Sequence, residues 1–292
     1  MSTTSQLKAK VECREIHESD LSAICDLLTL NFPERKREFW ARGCTRLRNH
    51  LPPVGLPKFG YLLEHEGAPV GVIFTIFTSV LQSGEMKTRC STSGWSVMPT
   101  FQGKGLLLAR QVLKHADITY FNPTPAPDTW RILDHLGFLP YCRGHFLSIP
   151  AFNRITRGVV VEKAAPHRFK ATKLQAGELE LLLDHLTYGC VSLVVSTSEQ
   201  EYPFVFLRRV SKTGVPYAQL IYSRNGSDFI RFAGSLGRYL AVNGLPAVLI
   251  DSNGPISGLV GKFFDARPRY FKGPDKPRLG DLAYTEVPLF GS

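Results

Sequence analysis

At 292 residues the chain is long enough for one large domain or two smaller ones, each with its own core. A hydrophobic fraction of 43% and a charged fraction of 21% are those of a globular protein, and no apolar run reaches the roughly 18–20 residues that span a bilayer, so no membrane insertion is expected. The net charge of +10 invites nucleic acid, but the basic residues are dispersed and the densest group, "ERKREFWARGCTRLR", reads as one exposed amphipathic helix; no nucleic-acid partner is expected, whereas an anionic ligand suits the charge.

The polar start "MSTTSQLKAK" leads into no apolar core, so no signal peptide is expected. "KVECREIHESDLSAICDLLTLNF" predicts a strand and then a helix capped near Ser19 or Asp20. Leu21, Ile24, Cys25, Leu27 and Leu28 recur there at helical spacing, and Pro33 stops the run. A second helix is predicted from Arg35 to Asn49, ended by Pro52 and Pro53. In "FGYLLEHEGAPVGVIFTIFTSV" two β-rich runs flank Glu66-Gly67-Ala68-Pro69, a hairpin signature. "TRCSTSGWSVM" is a further strand, followed by a helix over "GLLLARQVLKHA" and a short strand "ITYF". "DTWRILDHLGF" predicts a helix closed by Gly137, and "LPYCRGHFLSI" a last strand.

From about residue 160 a similar order of elements recurs without residue identity. "HRFKATKLQAGELELLLDHLTYG" is strand then helix, "VSLVVST" and "PFVFLRRVSK" bracket a turn, and "VPYAQLIYS", "DFIRFAGSLGRYLAVNG" and "AVLIDS" are strand, helix and strand. "ISGLVGKFF" is expected as a short helix, with "YFKG" and "LAYTEVPLF" as final strands. The expected organisation is two closely packed halves, residues 1–158 and 159–292, with no Gly/Ser linker between them. The fold class is α/β (α+β), a mixed, mostly antiparallel central sheet flanked by helices. The six cysteines are scattered and form no CxxC pair, as expected of reduced thiols in a cytoplasmic protein.

The chemistry concentrates in "SVMPTFQGKGLLLARQVL", where Gln102-Gly103-Lys104-Gly105 joins a strand to a helix. Glycines let backbone approach a ligand, the first amides of the helix lack intrahelical partners, and the helix dipole and Lys104 both favour an anion. The same residues also suit a plain turn with a solvent-facing lysine. Other phosphate motifs fit less well: a P-loop needs Ser or Thr where Gly105 stands, and a dinucleotide-binding fingerprint needs glycine where Leu108 stands.

Taken with the order of elements around it, the stretch from about residue 10 to 150 resembles the GNAT superfamily of acyl-CoA-dependent N-acyltransferases. "WSVMPTFQGKGLLLARQVL" matches that family's Gln/Arg-x-x-Gly-x-Gly/Ala segment, and "NPTPAPDTWRILDHLGF" is similar to its second signature, an Asn after a strand and a helix ending in Leu-Gly-Phe. The resemblance implies an acyltransferase that moves an acyl group from acetyl-CoA or another acyl-CoA, without metal, to an amine or hydroxyl of a small-molecule or peptide acceptor. It implies cofactor contacts from Val97, whose strand pairs with the pantetheine arm, from Gln102, Gly103, Lys104, Gly105, Leu106 and Leu107 around the pyrophosphate, and from Asn122.

Two positions depart from the family pattern. Leu107 stands where a small residue is usual, and Leu133 where many members carry the tyrosine that protonates the leaving thiolate. A non-catalytic acyl-CoA-binding or scaffolding protein on the same fold is therefore the alternative reading. No catalytic residue is assigned; Tyr141, His145 and Ser93 are the side chains considered beside the cleft, with Ser91 and Ser96 on the same strand as Ser93. His145 forms a lone C-x-x-H with Cys142, which is not a metal site, and His115 and His135 read as solvated or capping. In the second half the equivalent turn is Arg224-Asn225-Gly226-Ser227-Asp228; it lacks the glycine pattern, and Asp228 reads as a helix cap whose carboxylate repels a pyrophosphate. That half is expected to be a degenerate GNAT-like domain, structural or acceptor-binding. Nothing in the sequence sets an oligomeric state.

Overall fold

The computed structural model describes residues 10–82, 84–166 and 173–291. The chain forms two compact units that divide between Tyr120 and Phe121.

The first unit holds strands β1 (Glu12–Glu15), β2 (Gly60–His65), β3 (Ala68–Gln82) and β4 (Glu85–Val97), in the order β1-β2-β3-β4 with every pairing antiparallel. Helices α1 (Leu21–Asn31), α2 (Arg37–Asn49) and α3 (Gly105–Val112) flank this sheet. β2 and β3 form the expected hairpin, with Glu66 (φ +52°) and Gly67 (φ +77°) turning the chain. The apolar face anticipated for α1, Leu21, Ile24, Cys25, Leu27 and Leu28, is the buried one, and it meets α2 where the Cys25 and Cys44 sulfurs lie 3.8 Å apart. Asp20 stands at the N-cap position of α1, as expected, but its side chain makes no cap hydrogen bond to that helix. Its carboxylate accepts the His17 N–H (2.8 Å) and pairs with Arg14 (2.7 Å), which also holds Glu64 of β2, so it closes a 3₁₀ turn ahead of the helix. All six cysteines are free thiols.

β5 (Thr119–Asn122) spans the boundary between the units. The second unit continues with α4 (Trp130–His135), β6 (Leu139–Ser148), β7 (Val160–Lys163), α5 (Glu178–Thr187), β8 (Val191–Ser196), β9 (Glu201–Val210), β10 (Pro216–Ser223), α6 (Gly226–Val242), β11 (Val248–Ser252), β12 (Gly261–Lys272) and α7 (Glu286–Phe290). Its strands run in the order β12-β6-β11-β10-β9-β8-β7, antiparallel except for β10 and β11. The core packs α6, through Phe229, Phe232, Leu236 and Leu240, onto Phe204, Phe206, Leu220 and Val248 of the sheet. Burying aromatic and aliphatic side chains of this size contributes roughly 1.5–3 kcal/mol each.

The division falls earlier than the 158/159 boundary expected from element order. β6 hydrogen-bonds to β11 from Val248↔Ser148 to Ser252↔Gly144 and to β12 from Gly261↔Ser148 to Phe271↔Leu139, so it belongs to the second unit. Two other elements differ. The expected helix over "ISGLVGKFF" is a turn with Gly258 at φ +86°, followed by β12, because pairing with β6 outweighs local helical spacing. "LAYTEVPLF" ends not in a strand but in α7, whose Thr285 side chain accepts the Val287 N–H as an N-cap. The expected strand over "HRFKAT" lies outside the described residues; β7 precedes it.

Candidate cofactor site

β4 pairs regularly with β3 as far as Phe74↔Ser93. There Gly94 and Trp95 stand opposite Ile73 alone, and pairing resumes at Val72↔Ser96 and Gly71↔Val97. This is a β-bulge, which bends the strand and increases its twist. Gly94 makes it possible: its φ is +59°, and a Cβ would sit 3.2 Å from the Phe74 ring. Sequence reasoning missed the bulge, although a lone glycine inside a β-rich run is its signal. Beyond it, the Asn31 side chain at the end of α1 donates to Ser96 Oγ (2.7 Å), and the Met98 N–H bonds to Val70 O (2.8 Å).

After Val97 the chain makes a 3₁₀ turn over Pro99–Lys104, and Gly105, whose N–H reaches Gln102 O, begins α3. Gln102, Gly103 and Lys104 are exposed, and the space where Gly103 would carry a Cβ is open. Gly105 is buried against Val97, whose Cγ2 would lie 3.5 Å from an added Cβ. No side chain caps α3, and Lys104 directly precedes its first residue. Leu106 and Leu107 are exposed on its first turn. The structure therefore brings together the end of a bulged strand, an open glycine turn, a cation and an uncapped helix start. This donor set fits an anionic, phosphate-bearing ligand.

The remaining sequence candidates are placed otherwise. Asn122, at the end of β5 and in the second unit, has its side-chain oxygen on the Thr124 N–H (3.3 Å), an Asx turn. Leu133 is buried in α4. Ser91 and Ser93 are buried in β4. His135 Nδ1 is 2.6 Å from the Arg131 carbonyl, a local helix contact.

Tyr141 and His145 lie on β6 beside a buried ion pair. Arg269 of β12 donates to Asp251 Oδ1 of β11 (2.7 Å) and to the Pro123 carbonyl. His145 Nε2 is 3.4 Å from that guanidinium and 3.6 Å from the carboxylate. Burial and the Arg269 charge lower the His145 pKa, against the opposing pull of Asp251, so the ring favours its neutral form. Burial pushes the Tyr141 phenol well above its ordinary range. The Tyr141 hydroxyl, Asp251 Oδ2 and Arg269 Nε are buried with no hydrogen-bond partner among the described residues, where ordered water would satisfy them. Among the described residues no cluster of three or more His, Cys, Asp or Glu side chains is placed to hold a metal.

In the second unit, the order β8-β9-β10-α6-β11 repeats the order β2-β3-β4-α3-β5, and so does the bulge. Ile221 of β10 is the extra residue between Leu220↔Phe206 and Tyr222↔Val205. The turn that follows is closed. Asn225 and Asp228 form a capping box on α6, with the Asn225 N–H 3.1 Å from Asp228 Oδ2. Beside the bulge the chain's own segment 280–282 is hydrogen-bonded to β10, Leu282 N–H to Ile221 O (2.7 Å) and Ser223 N–H to Gly280 O (3.3 Å).

No protein-family model and no curated protein matches the chain. Solved structures do. It is similar to a GCN5-related N-acetyltransferase from Anabaena variabilis, with a TM-score of 0.58 at 10% identity over 90% of this chain and 72% of that one. It is similar to one from Kribbella flavida, with a TM-score of 0.56 at 14% identity over 92% and 72% of the two chains. It also resembles the glucosamine N-acetyltransferase region of a fungal multi-domain GH3 β-N-acetylglucosaminidase, with a TM-score of 0.59 at 11% identity over 90% of this chain and 38% of that one. At such identities the likeness establishes architecture: the chain has the fold of the GCN5-related N-acetyltransferases, the GNAT fold.

Proposed function

We propose that the chain binds acyl-CoA, acetyl-CoA in the first instance, at the turn after β4 and transfers the acyl group to an amine or hydroxyl of a small-molecule or peptide acceptor. One observation carries this reading: a bulged strand ends at Val97 and delivers an exposed glycine turn with Lys104 onto an uncapped helix. Val97 offers backbone to the pantetheine arm, and residues from Gln102 to Leu107 surround the pyrophosphate. The acceptor's lone pair attacks the thioester carbonyl, the acceptor's N–H or O–H proton passes to solvent, the C–S bond breaks, and the thiolate leaves. A backbone N–H stabilises the oxyanion. Met98 is not that donor, since its N–H is committed to Val70 O. In this reading the second unit's equivalent turn binds no cofactor, because its capping box and segment 280–282 occupy that place.

The alternative, acyl-CoA binding without transfer, is favoured by one residue. Leu133 is buried and apolar, so no acid acts from that position, and a leaving thiolate takes its proton from solvent. Calorimetric titration with coenzyme A and acetyl-CoA tests both readings. Binding by the wild type and at least a tenfold loss in Gly103→Glu, which fills an open space without a backbone clash, is the expected result. No binding by the wild type overturns both. Acceptor-dependent thiol release then separates transferase from binder.

A further inference from the structure

The second unit carries a second basic feature, remote in sequence from the turn after β4. The segment following β6 lies directly on α6: a Cβ on Gly234 would come 2.3 Å from Arg154 O, and one on Gly237 2.3 Å from Ala151 N. Only glycine permits that approach. The segment is held by Thr156 Oγ1 donating to Arg231 O (2.6 Å), Asn153 Nδ2 donating to Gly258 O (2.6 Å), and the Val260 N–H reaching Asn153 Oδ1 (3.3 Å). Between segment and helix lies a cleft of about 410 Å³ lined by Arg154, Arg157 and Arg231, with Ile155 and Ile230 as apolar wall and no acidic side chain among the described residues.

The arginines of this cleft are not among those in ion pairs. Arg14, Arg37, Arg48, Arg143, Arg224, Arg269 and Arg278 each face a carboxylate. Neither the Arg154 nor the Arg157 side chain has a partner among the described residues. Arg231 is held by aromatic groups instead: its guanidinium lies 4.9 Å from the Phe232 ring centre and 5.6 Å from that of Tyr202, and it donates to the Tyr202 hydroxyl (3.1 Å). Stacking and a neutral hydroxyl orient the fork without neutralising it. Three guanidiniums line one cleft, and a dianion there would accept charge-assisted hydrogen bonds from them. The volume suits a small molecule, and the isoleucines suit an apolar body beside the charged group.

We propose that this cleft binds the phosphate ester of a small, partly apolar molecule. The site is independent of acyl-CoA binding, and calorimetry with inorganic phosphate, phenyl phosphate and benzoate tests it. Phenyl phosphate binds one to one and more tightly than either other probe. Arg154→Gln/Arg157→Gln, on exposed side chains and with an unchanged melting temperature, weakens it roughly tenfold or more. Arg157→Glu alone weakens it as well, and Gly103→Glu, at the other site, leaves it unchanged. Non-saturable binding, equal affinity in the double variant, or loss in Gly103→Glu overturns the site. Benzoate binding as tightly as phenyl phosphate overturns the ligand class.

Discussion

Arg269 is a buried cation with one buried counter-charge, Asp251, and both side chains are at most 3% exposed. Removing one member of such a pair leaves the other charge unpaired in a medium that solvates it poorly, which typically costs about 3–5 kcal/mol. Arg269→Ala is accordingly expected to lower the free energy of unfolding by roughly that amount in denaturant titrations. Replacing both partners by apolar residues, as in Arg269→Met/Asp251→Leu, is expected to recover most of the loss. His145 adds a pH dependence. Burial, Arg269 and Arg267 disfavour its imidazolium in the folded state, while Asp251 favours it. In the unfolded chain the ring takes its proton near pH 6.5. Below that pH the unfolded state binds the proton first, so stability falls until the lower, folded-state pKa has been passed. Urea titrations between pH 7 and 5 should show this decline, and His145→Gln should flatten its share. Tyr141 and His145 were legible in the sequence as polar groups on one strand. Asp251 and Arg269 were not, because they lie more than 100 residues further along and strand pairing alone brings them near.

At the scale of elements, the bulge in β4 and the turn behind it form one device. Any residue other than glycine at position 94 meets a left-handed backbone and the Phe74 ring, a strain of roughly 1–3 kcal/mol. Gly94→Val is therefore expected to destabilise the first unit by about that much and to weaken coenzyme A binding, whereas Gly103→Ala, in open space, should leave melting unchanged. The corresponding strand in the second unit ends in a helix with a reciprocal cap. Asp228→Ala removes one half of that box and should lower stability by about 1 kcal/mol. The turn "QGKG" and the capping role of Asp228 could be read directly, since both depend on neighbours within a few residues. The closure of the second unit's turn region by segment 280–282 could not: it is a long-range contact made by a stretch with no regular pattern.

For the whole molecule, the charge of +10 acts on any anionic ligand. Affinity for coenzyme A is expected to fall as salt rises from 50 to about 300 mM, because screening shortens the reach of exposed cations, and Lys104→Gln should reduce both the affinity and its salt dependence. A salt-independent affinity would assign binding to backbone and apolar contacts instead. Most element types of the first unit, the β2–β3 hairpin, the buried face of α1 and the glycine turn were determined by the sequence itself. Each rests on local rules: helical or strand periodicity, turn-forming residues, and helix ends that need partners. Tertiary structure decided the rest. It assigned β6 to the second unit, made a strand of a segment with helical spacing, and set a buried ion pair beside His145. It also left three arginines on one cleft without carboxylates. Those outcomes depend on which distant strands pair and on which charges are desolvated together, and no window of neighbouring residues carries that information.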